Sequence, residues 1–175
     1  MRPRDRLAMQ QSGAVTLVER LAAADQRDLP LLQLPLDAQQ RTSLRGHRRS
    51  ACGRDLLLQL PRGAALQPGE RLLSADGAVQ VQVQAAPEPV MEVRSSSPLA
   101  LLQAAYHLGN RHVAMELHAD RLVLLHDSVL EDLLQQRGLQ VERREAPFEP
   151  EAGAYAAVGH HGHSHTHSHG HSHDH

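Results

Sequence analysis

The stretch VMEVRSSSPLALLQAAYHLGNRHVAMELHADRLVLLHDSVLEDLLQQRGLQVER, residues 90–143, decides the fold. Val90–Val93 reads as a short strand. Ser97 offers an N-cap with Pro98 at the first helical position, and Leu99, Leu102 and Tyr106 recur at helical spacing until Gly109 stops the turn. His112–Leu117 and Arg121–Leu125 read as strands around the turn His118-Ala119-Asp120. A second helix starts near Asp127 and Ser128, with Ser128 and Glu131 as an S-x-x-E capping box and Leu130, Leu133 and Leu134 as its stripe before Gly138. Leu139–Arg143 closes as a strand. The order β-α-β-β-α-β predicts a ferredoxin-like fold with both helices on one sheet face.

Upstream, residues 14–87 carry short apolar runs separated by turn signals: Val15–Val18, Leu31–Leu36, Leu56–Leu60, Arg71–Leu73 and Val79–Val83. The segment VQVQVQ, residues 79–84, alternates strictly, as a half-buried strand does. Residues 86–89, APEP, read as a linker, because proline at 87 and 89 interrupts sheet pairing. The expected class is α+β. A small β domain fills residues 1–87, its first dozen or so residues flexible. A ferredoxin-like domain follows over 88–146, then a connector and tail over 147–175, the tail expected to be disordered without metal.

Composition narrows the function. Hydrophobic content of 41% supports a core, which must be aliphatic because there is no Trp, one Phe and two Tyr. All the basic residues are arginine, and the net charge of −2 gives no footprint for nucleic acid or an anionic membrane. A single cysteine, Cys52, excludes a disulfide framework and reads as a turn residue. No apolar run approaches a membrane span, and MRPRDRLAMQQSG lacks a signal-peptide core, so a cytosolic location is expected. No HExxH, P-loop or paired-cysteine motif is present.

The chemistry concentrates at the end of the chain. Residues 160–175 hold nine histidines (His160, His161, His163, His165, His167, His169, His171, His173 and His175) among Gly, Ser, Thr and Asp. Neutral imidazole is a ligand for Ni²⁺, Cu²⁺, Zn²⁺ and Co²⁺, so the tail is expected to bind metal. Protonating all fourteen histidines moves the charge from −2 to +12, and capacity should collapse as pH falls through roughly 6. In the predicted strand 112–117, period-2 geometry puts His112, Ala114, Glu116 and His118 on an open sheet face and Val113, Met115 and Leu117 under the helices. His126 ends the neighbouring strand.

The string YHLGNRHVAMELHADRLVLLHDSVLEDLL, with APFEPEAGAY after it and a His-rich end, resembles the UreE family of urease accessory proteins, nickel metallochaperones. PRGAALQPGERLL at 61–73 extends the likeness upstream. The resemblance implies a β domain that engages partner proteins and a ferredoxin-like domain that forms a homodimer. It implies that His112 of both subunits binds one Ni²⁺ at the interface, with tail histidines completing the site. It also implies a urease accessory GTPase and the urease apoprotein as partners. The family's HDH-type segment reads His126-Asp127-Ser128 here, so His126 matches the first ligand and serine replaces the second. His107, His47 and His118 read as structural or surface residues.

Three functional classes remain. The first is a nickel chaperone and no enzyme, its tail storing further ions. The second is a general nickel- and zinc-buffering protein without a dedicated client. The third, a hydrolase using His112, His118 and His126, is weak, because six residues of strand separate the first two by about 20 Å.

Overall fold

The structure, a computed structural model, describes residues 13–22, 25 and 28–152. The histidines expected to bind metal at 160–175 lie outside them. Elements follow in chain order as β1 (Val15–Leu21), β2 (Leu31–Leu36), α1 (Ala38–Thr42), β3 (Arg45–Arg49), β4 (Asp55–Gln59), β5 (Arg71–Ser74) and β6 (Gln80–Ala85). Then come β7 (Pro87–Arg94), α2 (Pro98–Gly109), β8 (Met115–Leu117), β9 (Arg121–Leu125), α3 (Ser128–Gln136) and β10 (Gln140–Pro147).

The first six strands form one sheet in the order β2-β6-β5-β1-β4-β3, with β1–β4 and β2–β6 parallel. Alternation sets its inner face: Val81 and Val83 of β6 join Leu17, Leu34, Leu56, Leu58 and Leu72 in an aliphatic core, while Gln82 and Gln84 turn outward. Cys52 sits exposed in the β3–β4 turn, its Sγ 3.2 Å from Ser50 Oγ.

The second sheet runs β10-β7-β9-β8, the all-antiparallel order of a ferredoxin-like unit, as expected. Met91, Val93, Leu122 and Leu124 pack under α2 and α3 with Leu101, Ala104, Leu108 and Leu134. The opposite face is not open. Val90 and Val123 cover Phe148, which is fully buried, together with Ala38 of α1. Buried Arg41 donates to Leu36 O at 3.2 Å and to Phe148 O at 2.5 Å, and Ala38 N donates to Glu88 Oε1 at 2.7 Å. These bonds tie the two sheets together.

Four further expectations need correction. Residues 87–89 are strand, paired with β10 from Pro87↔Pro147 onward. Pro89 accepts from His126 N at 3.0 Å, so its missing N–H lies on the β9 side, beyond the end of that ladder, and costs no bond to β10. The strand expected at 112–117 begins only at Met115. The cap of α3 is Asp127, whose Oδ1 accepts from Val129 N and Leu130 N, leaving Ser128 inside the helix and Glu131 with no capping role. The stripe Leu99, Leu102 and Tyr106 faces outward, 62–68% exposed, and Leu101, Ala104 and Leu108 carry the burial instead. A helix apolar on most sides does not reveal by spacing which side is the core.

Candidate metal centre

Helix α2 starts at Ser97, whose side chain accepts from Ala100 N, and runs through Gly109 without interruption. The chain then leaves the helix through two reverse bonds: His112 N donates to Gly109 O at 2.9 Å and Val113 N to Leu108 O at 3.1 Å. This is a Schellman closure with His112 at its left-handed position, φ 57°. Glycine is the usual occupant, because a Cβ there costs about 1 kcal/mol or more. Among the described residues His112 is the sole non-glycine with positive φ. Val113 packs into the core beneath, and the imidazole of His112 stands exposed at the corner of the domain. Tyr106, Leu102 and Leu99 run back from it along the exposed face of α2.

His126 is held differently. Its backbone N–H anchors on Pro89 O, and its Nε2 lies 3.1 Å from Glu131 Oε2. Glu131 is buried, and Arg143 grips it with Nε at 2.8 Å and Nη2 at 2.7 Å. The Arg143 guanidinium, with His126 adding to it against the cost of burial, holds the Glu131 carboxyl below the usual glutamate range. A carboxylate on Nε2 orients the ring and leaves Nδ1 as its free nitrogen.

The register Met115↔Leu124, carried two residues further, sets Val113 level with His126, so His112 and His126 belong to the same end of the sheet. His118 belongs to the other end of β8, where its Nε2 sits 2.9 Å from Glu116 Oε2. The three histidines of the hydrolase reading are therefore not brought together. His47 projects from β3, and half-buried His107 stacks edge-on against Tyr106 at 5.5 Å. Among the described residues no three His, Cys, Asp or Glu side chains converge on one metal position. A site that joins His112 to two more such side chains would draw at least one of them from a second chain or from outside the described residues.

The last described residues run alongside β8. After β10 the chain crosses the sheet at Phe148, Glu149 N donates to Glu116 Oε1 at 2.8 Å, and Glu151 N donates to Met115 O at 2.9 Å. Glu151 thus lies beside Met115 of β8, three residues along the chain from His112. Two features were not legible beforehand: the partnership of Glu131 and Arg143 on His126, and the strained backbone of His112. Glu131 offered one signal, an acid among the leucines of α3. No helix of the described residues is long and apolar enough to cross a membrane.

Residues 88–175 match the family described as UreE urease accessory protein, C-terminal domain. The chain is 56% identical over 147 residues to the urease accessory protein UreE of Parasynechococcus marenigrum, covering 83% of this chain and 96% of the relative. It is 60% identical over 132 residues to that of a Synechococcus strain, CC9311, covering 75% and 85%. With the protein from Thermosynechococcus vestitus it shares 54% over 126 residues, covering 72% and 88%. The chain belongs to the urease accessory protein UreE family.

Proposed function

We propose that this chain is a homodimeric nickel metallochaperone that delivers Ni²⁺ for assembly of the urease active site. The observation that carries the reading is His112, an exposed imidazole kept at a backbone position where glycine is more stable. One such histidine per chain at a two-fold axis offers a shared ion two nitrogens. The exposed face of α2, with Leu99, Leu102 and Tyr106, supplies apolar area for that contact beside the ligand.

The remaining positions fall to tail imidazoles. Eight residues from Ala152 to His160 reach at most roughly 27 Å, and three from Met115 back to His112 roughly 10 Å. Since Glu151 is bonded to Met115, the tail histidines from His160 to His175 are within reach of His112. At roughly two to four imidazoles per ion, nine of them also store several ions per chain. His126, with Nδ1 free, is an accessory ligand. A carrier site built this way exchanges its cargo one imidazole at a time, whereas a catalytic site keeps three fixed ligands and a supporting shell. Zn²⁺, Cu²⁺ and Co²⁺ compete for the same nitrogens.

In this reading the chain is no enzyme. Residues 1–87 engage partners, 88–146 bind metal and dimerise, and 147–175 recruit and store it. A urease accessory GTPase supplies any nucleotide hydrolysis, the urease apoprotein receives the nickel, and the work takes place in the cytoplasm.

Nickel titration calorimetry with parallel mass determination, on the full chain and on one ending at Val158, tests the proposal. Both are expected to be dimers that share one ion per two chains at the His112 pair, the shorter holding it less tightly and binding several-fold fewer ions in total. His112→Ala should abolish the tight site. Loss of all binding with the tail would make the folded part a platform and move a metal buffer without a client ahead.

A further inference from the structure

We propose that the seam between β2 and β3 is a docking groove for an extended acidic segment of a partner protein, added to the free edge of β3. The proposal rests on the partner-engaging reading of residues 1–87 and does not depend on nickel binding. Strands β2 and β3 are the two ends of the six-stranded sheet, and the sheet curls until they approach each other. One backbone bond, Ala51 N to Gln33 O at 2.8 Å, closes the seam at one end. Beyond it lies a cleft of about 460 Å³ between Pro35, Leu36 and Gln40 on one side and His47, Arg48, Arg49 and Asp55, its single acid, on the other.

The backbone explains why the seam stays open. Gln33 turns its carbonyl to the seam, so Pro35, two residues on, does too, and proline has no N–H to give. On β3 the bonds Leu60 N to Leu44 O and Ser50 N to Arg54 O commit the even-numbered residues to β4. The N–H groups of Arg45, His47 and Arg49 therefore point into the seam. The carbonyls of Arg45 and His47 already accept from Ser43 Oγ at 3.1 Å and Arg48 Nη1 at 2.7 Å. What remains along the edge is a row of donors. Arg48, which lines the cleft, has its Nε buried without a hydrogen-bond partner among the described residues.

Charge selects the occupant. Residues 38–54 contain five arginines and a histidine and no acid. The first acid after them, Asp55, reaches Arg49 at 3.6 Å with both side chains largely exposed. An edge so basic repels a second copy of itself, which protects against self-pairing, and attracts an acidic strand. This chain has no such strand to spare: residues 1–12 carry three arginines against Asp5, and residues 153–175 hold one acid, Asp174. The segment 145–151, EAPFEPE, is already placed on the second sheet. Nucleic acid is disfavoured because the groove is lined by no Phe, Tyr or Trp on which successive bases could stack.

The test is fluorescence anisotropy of a rhodamine-labelled peptide, GDVDVDVDG, on the full chain with chelator present. The acidic peptide is expected to bind, its lysine counterpart GKVKVKVKG not, and affinity to fall at least tenfold from 50 to 500 mM NaCl. The variant R45E/R49E, at two exposed positions, should lose tenfold or more with an unchanged circular dichroism spectrum, and R45Q/R49Q serves if it does not fold. Equal binding by GDPDPDPDG, which cannot pair as a strand, would overturn the proposal. So would unchanged binding by the arginine variants, or displacement of the peptide by oligouridylate of equal charge.

Discussion

Helices α2 and α3 end in the same way on two related strings, Leu108-Gly109-Asn110-Arg111-His112-Val113 and Leu134-Gln135-Gln136-Arg137-Gly138-Leu139. In each, the residue at the left-handed position donates back three residues, to Gly109 O or Gln135 O, at 2.9 Å. The next residue donates to Leu108 O or Leu134 O at 3.1 Å and packs into the core. The difference is the residue that bears the positive φ: Gly138 at 77° in α3, His112 at 57° in α2. One closure is chosen for stability. The other accepts strain to hold an imidazole at the corner of the domain, beside the apolar outer face of its own helix. The contrast separates what the fold requires from what the proposed metal site requires.

The largest expected effect breaks the symmetry of the outer faces. L102D/Y106D should convert the proposed dimer to monomer at micromolar concentration and remove the proposed tight nickel site with it, as read by light scattering and calorimetry. Val129, 73% exposed on α3, is the control: V129D should leave mass and nickel binding unchanged. Next comes the exchange of end residues. G138H should cost about 1–2 kcal/mol in urea unfolding of the metal-free protein, with nickel stoichiometry intact.

The smallest effect concerns His126. Glu131 has its carboxyl held below its ordinary value of 4.5 in the folded chain. Its stabilisation is therefore complete above about pH 4.5 and is lost as pH falls through the lowered value. E131Q should flatten the dependence of stability on pH in that acid range and, by releasing Nε2, broaden the His126 ring signals in NMR.

The sequence carried the order of elements in the second unit, because Ser97-Pro98 and Gly138 mark helix ends and the apolar run of β9 is clear. It did not reveal β3, whose RGHRR has neither apolar alternation nor β-branched residues and forms because β4 offers it a ladder. The five-residue α1 was equally silent; it rests on the cap of Asp37 and on Arg41 reaching Phe148, a contact 107 residues away. For the candidate site, residue types and the GNRH motif were legible, but backbone conformation was not. Gly109 looked like the helix stop, and the left-handed residue is His112 three places later. A local signal lost there to the pull of Val113 into the core.

The most direct test of the account is H112G, followed by urea unfolding with chelator and by nickel titration. Relief of the Cβ at φ 57° should leave the variant at least as stable as the parent, by up to about 1 kcal/mol after the entropy cost of glycine, while the one tight ion per dimer disappears. A variant that is less stable, or that keeps the tight ion, would contradict the claim that strain at His112 is retained for the metal.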